Sequence, residues 1–174
     1  MRLPPLPAEE WDDTTRSALA GMLPRDRQHP EAAGNALSTL VRHPDLTKAF
    51  LGFNIHLLFR STLPARLREL VILRVAHRRG CAYEWGHHLV TAGAAGISDA
   101  EIAALQRGEA TDDTARAVLA AVDELEEHST VSDDTWSALS GALDERQRMD
   151  LVFTVGAYGL LAMAFNTFGV ELEH

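Results

Sequence analysis

The sequence predicts an all-α protein, and three observations carry that prediction. Apolar residues recur at three- and four-residue spacing along most of the chain. Runs of alternating β-branched residues between turn signals, which strands require, do not occur. Proline, capping and glycine residues fall where the periodic segments begin and end. With 174 residues, 46% of them hydrophobic and 24% charged, the chain has the size and composition of one globular domain spanning 1–174. Its net charge of −9 repels phosphate backbones and anionic membrane surfaces, which argues against nucleic-acid and membrane partners. Cys81 is the sole cysteine, so no intrachain disulfide forms and a reducing, cytoplasmic setting fits. Three prolines within 1–7 leave no apolar run for a secretory signal.

The elements follow in order. Trp11, Thr15, Ala18, Leu19 and Met22 make one face of a first helix after Pro7. Leu23 to Gly34, with two prolines and a glycine, reads as a loop, and a short helix follows around Ala36 to Val41. Pro44 opens a helix that ends near Arg60, with Leu46, Phe50, Phe53 and Leu57 as its apolar stripe. Pro64 opens the next, whose interior from Leu67 to Ala76 is apolar on almost every side and is therefore predicted to be buried; Gly80 ends it. Another helix runs from about Ala82 to Ala94 and stops at Gly96. Ser98 and Glu101 make a capping box for its successor. Thr111 to Glu127 and Ser132 to Leu139 give two amphipathic helices, and Asp144 to Phe168 a long apolar one.

That last helix contains Leu151 to Val170, twenty residues without a formal charge, about the length of a membrane span. Thr154, Gly156, Tyr158, Gly159, Asn166 and Thr167 interrupt it and no basic cluster flanks it, so burial in a core or a subunit interface is the expectation. Residues 172–174, Leu-Glu-His, read as an affinity-tag remnant and stay outside the functional argument.

Candidate chemistry clusters in the middle of the chain. On a helical wheel Glu69 shares its side with Ile72, Leu73 and Ala76, which sets a carboxylate among residues that want burial. It is either part of a site or a structural anion paired with Arg66 or Arg74. Cys81, Glu84, Trp85 and His88 fall at i, i+3, i+4 and i+7, so a thiol, a carboxylate and an imidazole line one helix face. Cys81 at the helix N-terminus, just after Arg78 and Arg79, has neighbours that favour a thiolate. His88, one turn after Glu84, can hydrogen-bond a carboxylate and titrate near neutrality, as general acid–base work requires. His77, Cys81, Glu84, His87 and His88 are potential ligands, but no HExxH or paired CxxC spacing occurs and no metal is expected. Nucleotide and dinucleotide fingerprints are also missing, so no cofactor is expected.

Three stretches together resemble the carboxymuconolactone decarboxylase and alkylhydroperoxidase-D-like superfamily. They are Arg68-Glu69-Leu70, Cys81-x-Tyr83-Glu84-Trp85-x-x-His88, and Gly96-Ile97-Ser98 with Glu101-Ile102. The likeness extends more weakly over about 44–170. It implies an alkylhydroperoxidase-D-like all-α fold assembled as a homo-oligomer: a dimer, a trimer or a trimer of dimers. The uncharged terminal helix would then be an interface. In the alkylhydroperoxidase D branch a CxxC pair works with a glutamate twelve residues before it and a histidine seven after; Glu69, Cys81 and His88 match, while Glu84 stands where the second cysteine would be. The lactone decarboxylase branch keeps a glutamate, an aromatic and a histidine, matched by Glu84, Trp85 and His88.

Three functions follow as expectations. The first is a decarboxylase-like enzyme acting on a small carboxylated or lactone-type metabolite, with Glu84 and His88 moving protons, Glu69 orienting His88, and Cys81 assisting. The second is a thiol peroxidase using Cys81, which with one cysteine needs an external resolving thiol. The third is a helical oligomer that binds a small ligand without turnover. Tyr83, Trp85, Asn54 and His56 are the candidate substrate contacts.

Overall fold

The computed structural model describes residues 1–173 and contains nine α-helices, two short 3₁₀ turns and no strand among them. His174, the end of the expected tag remnant, lies outside the described residues. The chain forms two compact units. One is Met1–Arg60 with the segment from Ala164 onward; the other is Ser61–Met163.

The first unit holds α1 (Asp13–Ala18), α2 (Pro30–Leu40) and α3 (Pro44–Phe59). Its core is Leu6, Trp11, Leu19, Ala33, Val41 and Leu51, with Phe50 and Ile55 packed against them. The expected first helix is shorter than its apolar face. Asp12 caps it by accepting from the Thr15 amide at 2.7 Å, so residues 8–10 are left to a 3₁₀ turn and Trp11 enters the core from outside the helix. The expected loop over 23–34 is also corrected: Pro30 starts α2 inside it. Gly34, at φ 69 and ψ 179, then breaks the helical path, and the portion after it is the short helix that the sequence predicts.

The predicted stripe of α3 is buried only in part. Leu57 is buried and Phe50 packs against the core, but Leu46 and Phe53 are exposed, and Thr47, Leu51 and Asn54 are buried in their place. Thr47 can enter because its hydroxyl donates to the Leu40 carbonyl at 2.5 Å. At the end of the chain Asn35 donates through its side chain to the Glu171 carbonyl and through its amide to Glu173. The amides of Arg2 and Leu3 both donate to the Phe168 carbonyl.

The second unit is built around α4 (Ala65–Arg78), which is buried continuously from Glu69 to Ala76 as its all-round apolar sequence requires. It packs against α5 (Ala82–Ala94), α6 (Asp99–Gln106) and α7 (Asp113–His128). Then come α8 (Asp133–Ala142), packed on α7, and α9 (Glu145–Phe168), whose residues up to Met163 belong to this unit. Arg74 ties the helices together. Its guanidinium grips Asp123 through two bonds, 2.7 and 2.8 Å, and donates to the Leu105 and Gln106 carbonyls at the end of α6. The capping box is formed, with Ser98 and Glu101 exchanging both bonds.

The turn from α4 into α5 positions the chemistry. Gly80 adopts φ 58 while the Cys81 amide donates to the Ala76 carbonyl at 2.9 Å and the Gly80 amide to His77 at 3.1 Å. This double bond pattern reverses the chain within two residues and leaves Cys81 as the N-cap of α5.

Candidate active site

The α4–α5 pair brings Glu69 and His88 together. Glu69 is fully buried, and its Oε2 accepts a 2.6 Å hydrogen bond from His88 Nδ1. The other imidazole nitrogen, Nε2, faces Glu84 Oε2 at 3.4 Å, one helical turn back on α5. Glu84 is itself buried. Burial favours a neutral ring, but the bonds to Glu69 and Glu84 and their charges outweigh it and push the His88 pKa up to about 9. The His88 ring is therefore held protonated at neutral pH, between the side chains of Glu69 and Glu84.

The remaining oxygen of Glu69 faces Arg68, whose Nε and a terminal nitrogen each lie 3.3 Å from Oε1. The structural alternative for Glu69 names Arg66 or Arg74, and neither is its partner. Arg66 pairs with Glu101, and Arg74 is committed to Asp123. Sequence reasoning places Tyr158 in the terminal apolar segment and does not assign it to the site. This residue of α9 is buried, and its ring meets the His88 ring edge-on at 5.1 Å between centroids. Burial, reinforced by the charges of Glu84 and Glu69, raises its pKa well above the ordinary tyrosine value, so it stands as a neutral phenol. Within a segment read as an apolar packing helix, its only sequence signal is a lone polar-tipped aromatic.

Cys81 occupies different ground. It is 1% exposed and borders a pocket of about 230 Å³ whose walls include His77, Gly80, Trp85 and Gln106 but not Glu69, Glu84 or His88. These surroundings do not favour a thiolate. Burial pushes the thiol pKa up; the Glu84 and Tyr83 amides pull it down, but the Glu84 charge adds to the rise. Arg78 and Arg79 do not counter this, because they pair with Asp123 and Glu126 on α7.

Trp85 lies against the His77 ring at the pocket edge, 5.7 Å between centroids. Tyr83 is buried beside His87, 4.4 Å between centroids. Asn54 and His56 belong to the first unit, where α3 turns Asn54 inward and His56 outward; two residues apart on a helix, they do not share a face. The Asn54 Oδ1 is buried without a hydrogen-bond partner. A polar cleft of about 670 Å³ in the first unit is lined by Asp13, Arg16, Arg25, Asp26 and Gln28 among others. Its central arginine, Arg16, already donates to the Gln28 and Trp11 carbonyls. Among the described residues no three His, Cys, Asp or Glu side chains are grouped so that they could hold a metal ion.

Residues 44–127 match the model of the carboxymuconolactone decarboxylase family. No curated protein sequence matches the chain significantly. Among solved structures, an uncharacterised peroxidase-related protein from Ralstonia eutropha with an alkylhydroperoxidase AhpD core superposes at TM-score 0.79 and 17% identity, over 99% of this chain and 94% of that one. The debrominase Bmp8 superposes at TM-score 0.77 and 16% identity, over 98% and 91%. A cysteine-to-alanine variant of that debrominase has been solved with 2,3,4-tribromopyrrole, and it superposes at TM-score 0.76. At such identities these likenesses are of fold. The stretch that holds Glu69, Cys81, Glu84 and His88 thus matches the carboxymuconolactone decarboxylase family, on a helical fold similar to that of alkylhydroperoxidase-D-like proteins.

Proposed function

We propose that the Glu69–His88–Glu84 cluster performs general acid–base chemistry on a small carboxylated or lactone-type metabolite, in the manner of a decarboxylase. One observation carries this reading: the His88 ring held between the buried side chains of Glu69 and Glu84, at 2.6 and 3.4 Å. Loss of carbon dioxide leaves the bonding electron pair on the substrate as an enolate, and its carbon must then take a proton. Glu69 fixes the Nδ1–H, which leaves the Nε2–H as the mobile proton, passed to Glu84 and from there to the carbon. Arg68 beside Glu69 offsets part of the negative charge that an anionic substrate brings. Tyr158, kept as a neutral phenol, is a hydrogen-bond donor beside the ring.

Thiol chemistry at Cys81 is the second reading, and the 230 Å³ pocket against that residue favours it. The debrominase with a similar fold was solved with its bromopyrrole in a cysteine-to-alanine variant, which draws the same side chain into consideration here. A protonated, buried thiol would need His88 or a substrate group to activate it, and a peroxidase cycle would need an external thiol as reductant.

The test measures carbon dioxide release from a panel of β-keto acids and carboxylated lactones, and peroxide consumption with dithiothreitol, in the wild type and in three variants. Decarboxylation that falls about 100-fold or more in Glu84→Gln and in His88→Ala but survives Cys81→Ser supports acid–base catalysis. Turnover lost in Cys81→Ser while Glu84→Gln retains it transfers the function to the thiol. Ligand-dependent melting with no turnover assigns the protein to binding alone.

A further inference from the structure

We propose that the polar cleft of the first unit binds a small zwitterion, a short peptide with a free amino group and a free carboxylate. Its walls hold charges of both signs, Arg16 and Arg25 with Asp13 and Asp26, so that the formal charges cancel. Among the described residues none of these four takes part in an ion pair. The arginines of α4 and the turn after it behave otherwise, since Arg66, Arg68, Arg74, Arg78 and Arg79 each face a carboxylate. Opposite charges that share a concavity without neutralising one another are complementary to a ligand that carries both.

Asp13 and Arg16 supply the sharpest contrast. They lie at i and i+3 on α1, the spacing at which an acidic and a basic side chain pair on a helix surface. At the same spacing on α7, Asp113 and Arg116 do pair. Arg16 instead spends its guanidinium on the backbone: one terminal nitrogen donates to the Gln28 carbonyl at 3.0 Å and the other to the Trp11 carbonyl at 3.1 Å. Carbonyls fix the group in place but leave its positive charge uncompensated. Asp13 keeps its negative charge on the same cleft.

The segment that carries Arg25 and Asp26 is held in one shape. Its 3₁₀ turn, Arg25–Arg27, is closed by the Arg27 amide on the Pro24 carbonyl, and the Gln28 side chain donates to the Leu23 carbonyl at 3.0 Å. Arg16 ties the same segment to α1 through the Gln28 carbonyl. The walls therefore stand in place before anything binds, which lowers the ordering cost of binding. The volume, about 670 Å³, lies in the range of small-molecule sites and suits a peptide of a few residues. A plain anion would meet Asp13 and Asp26, and a plain cation the two arginines. None of Glu69, Glu84 and His88 lines this cleft, so the site is independent of the acid–base reading.

Isothermal titration calorimetry of the full chain at neutral pH tests this site with trialanine, with its N-acetyl form, which lacks the ammonium, and with its C-terminal amide, which lacks the carboxylate. Trialanine is expected to bind with a dissociation constant of about 1 mM or below. Each blocked form should bind at least about tenfold more weakly. Arg25→Gln and Asp26→Asn change exposed side chains and should keep the wild-type circular dichroism. Both should weaken trialanine; Arg25→Gln should shrink its advantage over the amide, and Asp26→Asn its advantage over the acetylated form. No binding of trialanine up to about 10 mM, equal affinity for the blocked forms, acetate binding as tightly as trialanine, or wild-type affinity in both variants would each overturn the proposal. If a variant loses its helical signal, the three peptides on the wild type decide alone.

Discussion

His88 and Glu69, nineteen residues apart, are joined by a 2.6 Å hydrogen bond whose acceptor is fully buried. The bond links α4 to α5 and sets the charge state of the ring at once. Its stabilising effect therefore depends on pH.

The direction follows from the sign of the shift. The folded pKa of His88, about 9, stands above its ordinary value of 6.5. The stabilisation is complete below pH 6.5 and fades as pH rises towards 9, with a ceiling on the order of 3 kcal/mol. Thermal melts should show a falling midpoint across that window. The fall should vanish in Glu69→Gln, and an imidazole resonance followed by NMR should titrate near 9 in the wild type and well below that in the variant. A wild-type midpoint flat from pH 6 to 9 would contradict this.

Glu69→Ala should destabilise the protein by about 3–5 kcal/mol, because it leaves a buried imidazolium and Arg68 without their common anion. Glu69→Gln keeps the volume and one acceptor and should lose less. Chemical denaturation of the two variants ranks them.

Cys81 should resist alkylation. Burial holds its thiol protonated at neutral pH, so iodoacetamide should react at least about tenfold more slowly than with an exposed thiol and accelerate on unfolding. A native-state rate equal to that of glutathione would refute this.

Arg74→Lys should cost nearly as much stability as Arg74→Ala, on the order of 3 kcal/mol. A lysine cannot make the paired bonds to Asp123 while also reaching the Leu105 and Gln106 carbonyls. Urea denaturation compares the three proteins, and full rescue by lysine would contradict the clamp.

Local patterns in the sequence were enough to locate much of this molecule. The all-round apolar run of α4, the glycines after α4 and α5, and the Ser98 capping box are local signals, and each corresponds to the element that it announces. The four-residue step from Glu84 to His88 likewise implies that they are neighbours, as they are. What stayed illegible depends on partners distant in the chain. Arg68 rather than Arg66 faces Glu69 because Arg66 is claimed by Glu101, thirty-five residues away. The thiol of Cys81 is kept neutral by burial, and the arginines beside it in sequence are drawn off by α7. Thr47 belongs to the buried face of α3 because the Leu40 carbonyl receives its hydroxyl.

Tyr158 and Gly156 stand two residues apart on α9 and look in opposite directions, one against the His88 ring and the other away from the chain's own core. A close-packed rod transmits a push on one side to the other. A load on the outside of this helix thus reaches the wall behind the imidazole.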